Sequence, residues 1–325
     1  MQRILYFVLT ALLIVSCKDK EKTNEPMLLD SSGHINNVSV VVENELWNGQ
    51  VGDAVRNVLA APIYGLPQDE PLFTLSQIPP SVFSGFVTKS RAILKIEINK
   101  PKTLKISDNV YAQPQKVITV SGTNRQEIVN AINENAEKIV NTLRNGELAE
   151  RSRQMAKSPH NYDVIKEKLG LTLQFASVYR IGREADDFFW FRKDITTGTT
   201  NLLIYDLPLK TITPNDSIVN QIIKIRDSIG KQYIEGSLEN TYMVTEDAYA
   251  PFIKETIIDN KPAYETKGIW DLKNGFMGGP FINYAIEDKA NNRWVIIEGF
   301  AFAPSVEKRD YMLELEAIIK SVKIE

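Results

Sequence analysis

Cysteine is almost missing from this sequence: Cys17 is the only one in 325 residues, which excludes an internal disulfide framework. Histidine is nearly as scarce. His34 and His160 alone, beside one cysteine, leave little material for a zinc site or a histidine-dependent triad, so no metal and no cofactor is expected. Neither sign of charge dominates. With 38 Lys and Arg against 41 Asp and Glu the formal charge is −3, which gives no basic footprint for nucleic acid and no acidic tail. No apolar run reaches the ~20 residues of a bilayer-spanning helix. A phosphate loop, a dinucleotide fingerprint, a nucleophile elbow and a zincin helix are all lacking, so no catalytic residue is assigned.

What is present begins at the N-terminus. Arg3 precedes twelve residues, Ile4 to Val15, apolar except for Thr10 and the Tyr6 hydroxyl. That is the length and flank of a secretory signal. Ile14-Val15-Ser16-Cys17 then resembles the lipobox of bacterial lipoproteins. The resemblance implies that the Cys17 thiol takes a diacylglyceryl group, that residues 1–16 are cut away, and that the new amine is acylated as well. A thiol at the apolar–polar junction reaches the membrane surface, and more than one chain is needed for stable anchoring. The mature chain would carry a formal charge of −4 and no free thiol. Lys18-Asp19-Lys20-Glu21 loosely resembles the mixed signals that send Bacteroidetes lipoproteins to the outer membrane or cell surface. The expected address is therefore the cell envelope, lipid-anchored at the outer membrane, on its periplasmic or surface face.

Residues 17–36 are polar and aperiodic and read as a flexible tether. Two α+β domains are expected beyond it, over 37–157 and 158–325. In the first, residues 38–42 read as a strand, and Val51, Val55, Val58 and Leu59 share a helical face. Ala92, Leu94, Ile96 and Ile98 share a strand face. Thr123 with Gln126 fits a capping box before a helix striped by Ile128, Ile132, Ala136, Ile139 and Leu143, with Gly146 to close it. In the second domain, Gly170 ends a short helix. Thr213 caps another, which Gly230 stops, and Ser305 caps the last. Trp294, Ile296, Phe300 and Phe302 alternate on one strand face. Strands in runs of three to five, each closed by a helix, predict antiparallel sheets with helices packed on one face, in two halves of similar style.

Short motifs point weakly. Ser228–Lys231, Ser305–Lys308 and Ser107-Asp108-Asn109 match penicillin-binding signatures in the wrong order, and no K-T-G follows. His160 reads as a solvated helix-start residue. Glu184, Asp186 and Asp187 read as a hairpin turn, and residues 273–284 as a wide turn between strands. Phe188 to Phe191 place two aromatic side chains on each face of a strand, favouring core packing over sugar stacking. Asp216-Ser217-Ile218 and Asp227-Ser228-Ile229 resemble the O-glycosylation sequon of exported Bacteroidetes proteins, which marks Ser217 and Ser228.

With the lipobox, the stretches Tyr64–Phe73 and Trp294–Gly299 resemble a family of uncharacterised Bacteroidetes lipoproteins, a domain of unknown function. The expected role is a non-enzymatic binding or assembly module. The expected partners are the membrane, through acyl chains on Cys17, and an envelope protein or glycan. The alternatives are a carboxylate-dependent hydrolase acting on envelope glycan or peptide, and a lipid or sugar carrier with a large apolar cavity.

Overall fold

The computed structural model describes residues 28–215 and 217–325. The chain is α+β. The first half holds β1 (Asn37–Val41), α1 (Asn44–Trp47), α2 (Gln50–Leu59), β2 (Thr74–Ile78), β3 (Ala92–Ile98), β4 (Thr103–Asp108), β5 (Lys116–Gly122), α3 (Arg125–Glu134) and α4 (Ala136–Met155). The second holds α5 (Val164–Leu169), β6 (Leu171–Thr172), β7 (Arg180–Glu184), β8 (Phe188–Ile195), β9 (Gly198–Pro208), α6 (Ile218–Tyr233) and β10 (Tyr242–Thr245). It continues with β11 (Phe252–Ile258), β12 (Lys261–Lys273), β13 (Gly278–Asp288), β14 (Arg293–Phe302), α7 (Arg309–Lys320) and β15 (Lys323–Ile324).

The sheet of the first half runs β2-β1-β3-β5-β4. It departs from the antiparallel expectation: β1–β2, β1–β3 and β3–β5 are parallel, and only β4 turns back. The residues show why. β3 and β5 are buried on both faces, as near-continuous β-branched and aliphatic strands of a parallel sheet must be. The expected stripes hold on one face, where Val38, Leu94, Ile96, Ile118 and Val120 pack against Val51, Val55, Leu59, Ile128, Ile139 and Leu143. Phe83 and Tyr111, from loops, cover Val41, Ile93 and Val117 on the other face.

The large sheet runs β10-β12-β13-β14-β9-β8-β7, with β11 also paired to β12, and every pairing is antiparallel. Here helices cover both faces rather than one. α7 and α5 lie over Phe189, Phe191, Ile204, Ile282 and Ile297, while α6 lies over Phe188, Tyr205, Trp294 and Ile296. The two halves are therefore less alike than their sequences imply.

Several helix ends move from their expected places. The cap of α3 is Asn124, whose side chain accepts from Glu127 N at 3.0 Å, while Glu127 accepts from Thr123 N at 2.8 Å; the box sits one residue later than Thr123–Gln126. Asn135 breaks the helix, and α4 then runs through Gly146 to Met155 because Glu147 and Glu150 are buried with partners. Arg91 forks onto Glu147 at 2.9 Å on both oxygens. Residues 30–36, expected in the tether, lie against the body. Ser31 N donates to Gln113 O, Asn36 N donates to Glu147, and Asn36 is fully buried. α6 starts at Ile218 rather than at Thr213, since Asn215 accepts from Ser217 N and organises a turn first. Gly230 lies inside α6, not at its end; a Cβ there would come 2.1 Å from Met243 O.

The last helix receives its cap from the other half. Ser305 does not cap α7. The buried carboxylate of Glu70 accepts from Lys308 N at 2.7 Å and from Arg309 N at 2.7 Å, satisfying orphan donors and meeting the positive end of the helix dipole. Arg309 returns donors to Pro71 O and Thr74 Oγ1, and Asn36 donates to Asp310. Arg144 on α4 pairs with the buried Glu316 on α7. The stretch Tyr64–Phe73 is thus the joint between the two halves.

Candidate functional site

Beyond the C-terminus of α6, residues 234–237 face β8, β9, β12 and β14 across an open space. The result is a cleft of about 320 Å³. Its floor is aromatic: Trp190 from β8, Trp270 from β12, and Phe300 and Phe302 from β14. Trp270 meets Phe300 edge-on with centroids 5.5 Å apart. Ile234, Met243, Leu272 and Met277 form the sides, and methionine supplies an adaptable wall.

Polar groups in the cleft are few and placed. Trp190 Nε1 donates to Asn201 Oδ1 at 3.0 Å, and Asn201 donates on to Thr199 at 3.1 Å. Trp270 Nε1 donates to Ala301 O at 3.1 Å. Both indole N–H groups are thereby satisfied inside the protein. Exposed Arg192 and Glu235 stand at the mouth with opposite charge. Gly198 allows the floor to form: a Cβ there would come 1.9 Å from Phe302 O. Phe276 and Leu238, next in sequence to the lining residues Met277 and Ser237, are exposed apolar side chains. The cleft is a mostly apolar concavity with a few convergent polar groups.

Beneath α6 a buried ionic group supports one wall. Arg226 donates to Glu298 at 2.9 Å and to Thr245 at 2.9 Å, and its guanidinium lies 3.8 Å over the Phe281 ring. Glu298 also accepts from Asn283. Burial raises the pKa of Glu298 above the ordinary carboxylate range, against the pull of Arg226.

A pair of buried carboxylates lies at the joint between the halves. Lys267 Nζ lies 2.9 Å from Glu265 and 3.8 Å from Glu316. Burial alone would raise both pKa values. Arg144, Lys267 and Lys320 outweigh it at Glu316, and Lys267 does so at Glu265, so both sit below the ordinary range. Two locked anions provide no protonated acid. The cavity beside Glu316 measures about 20 Å³, room for roughly one water.

Of the residues singled out from sequence, Phe188 and Trp190 do face the cleft side, with Phe188 stacked 4.0 Å from Tyr233; Phe189 and Phe191 face α7. Glu184 lies beside its hairpin and accepts from Tyr162 and Lys168. His160 is half-buried rather than solvated. It stacks on Phe175 at 4.7 Å, and burial lowers its pKa. Ser217 is exposed just before α6. Ser228 is exposed on α6, where its hydroxyl donates to Lys224 O, while Asp227 accepts from Thr245. Cys17 lies outside the described residues. Sequence reading missed Trp270, Asn201 and Met243, which meet Trp190 only through strand pairing.

The model of a domain of unknown function, DUF4837, matches residues 158–321, just over half of the chain and the part that contains the cleft. The chain belongs to the DUF4837 family. A second domain of unknown function, DUF8532, matches residues 31–156. No match is found among curated proteins. Within the DUF4837 segment lie the cleft, the Arg226–Glu298 group and α7; the Glu70 cap comes from the segment matched by DUF8532. Among the described residues no helix is long and apolar enough to cross a membrane, and no cluster of potential metal ligands occurs.

Proposed function

We propose that this protein is a non-enzymatic binding module of the cell envelope, held at the outer membrane by acyl chains on Cys17, and that its ligand enters the aromatic cleft of the DUF4837 half. The observation that carries the binding role is the cleft itself, lined by Trp190, Trp270, Phe300 and Phe302 with both indole N–H groups satisfied within the protein. The sequence at residues 14–17 supports the anchor. The locked carboxylates at Glu265 and Glu316 weigh against the hydrolase alternative.

Trp190 and Trp270 make the cleft self-reporting. Titrating the protein with fractionated envelope lipids and glycans is expected to change tryptophan emission saturably for one fraction. The Trp190→Ala variant is expected to lose that response while keeping its fold by circular dichroism. A response equal in the variant, or none for any fraction, overturns the assignment of the cleft. For the anchor, Cys17→Ser is expected to leave an uncleaved precursor; normal processing and release of the variant would count against it.

A further inference from the structure

The first described residues lie at one end of the small sheet, where three loops are tied together. Leu29 O accepts from Gln113 N, Ser31 N donates to Gln113 O, and Ser32 N donates to Lys89 O. Gln115 Nε2 donates to Thr88 O and Ser90 O, both at 2.7 Å. Phe83 meets Tyr111 edge-on at 5.6 Å. Residues 29–32, 80–90 and 109–115 therefore form one surface, and each contributes exposed apolar side chains: Leu29, Val82, Phe86 and Val110, with Phe86 73% exposed. Nothing in the fold requires them there, since Phe83 and Tyr111 already cover the sheet. Lys89 has no ion-pair partner among the described residues, and Asp108 is neutralised by Lys116 at 2.8 Å.

Geometry names what covers this surface. The chain leaves it toward Cys17, and the residues between Cys17 and Leu29 span at most ~40 Å even fully extended, at about 3.6 Å per residue. An acylated Cys17 would keep these loops beside the bilayer. We infer that Leu29, Val82, Phe86 and Val110 rest in the headgroup region of that membrane, so that the body docks on lipid through the end where its anchor leaves. Exposed aromatic and aliphatic side chains with a lysine alongside suit that interface. The inference rests on the anchor reading.

The mature acylated chain would have no free thiol, so Phe86→Cys or Val110→Cys places a unique labelling site on the full-length protein. Each is labelled with bimane in vesicles of phosphatidylethanolamine and phosphatidylglycerol with brominated acyl chains. Phe276→Cys, also exposed and in the other half of the chain, is the control. Most of the emission at positions 86 and 110 is expected to be lost, and little at position 276. Equal quenching at all three positions, or none at 86 and 110 in a chain that mass spectrometry shows to be acylated, overturns the docking alone. An unmodified Cys17 overturns the anchor reading and this inference with it.

Discussion

The two halves solve the same packing problem with different residues. The first uses Val, Ile and Leu on parallel strands, closed by α2, α3 and α4 on one face and by loops on the other. The second uses Trp, Phe and Tyr on long antiparallel strands under helices on both faces. Small branched side chains interdigitate and close the first core. Rigid aromatic rings on β8, β12 and β14 line an open concavity in the second. Buried charge differs in the same way. In the first half Arg91 fixes α4 through Glu147, whereas in the second Arg226–Glu298 props the covering helix beside an open cleft. The comparison teaches that the large aromatic sheet carries the cleft, while the small sheet lends the cap and the ion pair that hold the joint.

The largest expected effect breaks the second half. Arg226→Met leaves Glu298 buried without its cation and is expected to cost about 3–5 kcal/mol in urea unfolding, with loss of the tryptophan response. If stability is unchanged, the buried pair is not a support. Leu94→Ala in the first half is expected to cost about 2–5 kcal/mol while leaving the cleft's ligand affinity intact. An equal loss of affinity would show the halves to be one energetic unit. Glu70→Ala removes the cap that the first half supplies to α7 and is expected to cost about 1–2 kcal/mol. Differential scanning calorimetry of the variant is expected to show two transitions, and an unsplit transition would mean that the remaining contacts, among them Arg144–Glu316 and Asn36–Asp310, hold the joint without the cap.

A smaller effect follows from pH. The carboxyl of Glu316 is held below the ordinary range in the folded protein, so its contribution is present above the unfolded pKa and is lost as pH falls through the folded value. Wild-type stability is expected to fall as pH drops below about 5, where the unfolded carboxyl begins to take up its proton, and Glu316→Gln to flatten that part of the fall. Parallel curves would place the acid sensitivity elsewhere. The smallest effect on stability is expected for Trp190→Ala. This residue is half-buried at the cleft, so the loss should appear in binding rather than in the urea midpoint.

Patterning on single elements was legible from the sequence. The alternation of Ala92, Leu94 and Ile96, the split of Phe188–Phe191 between two faces, and the Gly170 helix end all appear where local spacing places them. Membership of a domain-of-unknown-function family was legible in the same way from Tyr64–Phe73 and Trp294–Gly299. Long-range decisions were not. Ser305 looked like a cap because serine caps locally, yet Glu70 was brought to α7 from the other half. Gly146 and Gly230 looked like stops, but the buried Glu147 and the close approach of Met243 O keep those helices going. The parallel order of β1, β3 and β5 was visible only as strands apolar on both faces. Asn201, Trp270 and Met243 carried no local signal, because the cleft is assembled by the register of β8, β9, β12 and β14.

The most direct test is the native mass of the protein extracted from the envelope in mild detergent. The account predicts a chain that begins at an acylated Cys17 and carries one small ligand, retained on gentle activation and absent from Trp190→Ala. An empty wild-type chain, or one that keeps residues 1–16 with a bare thiol, would contradict it.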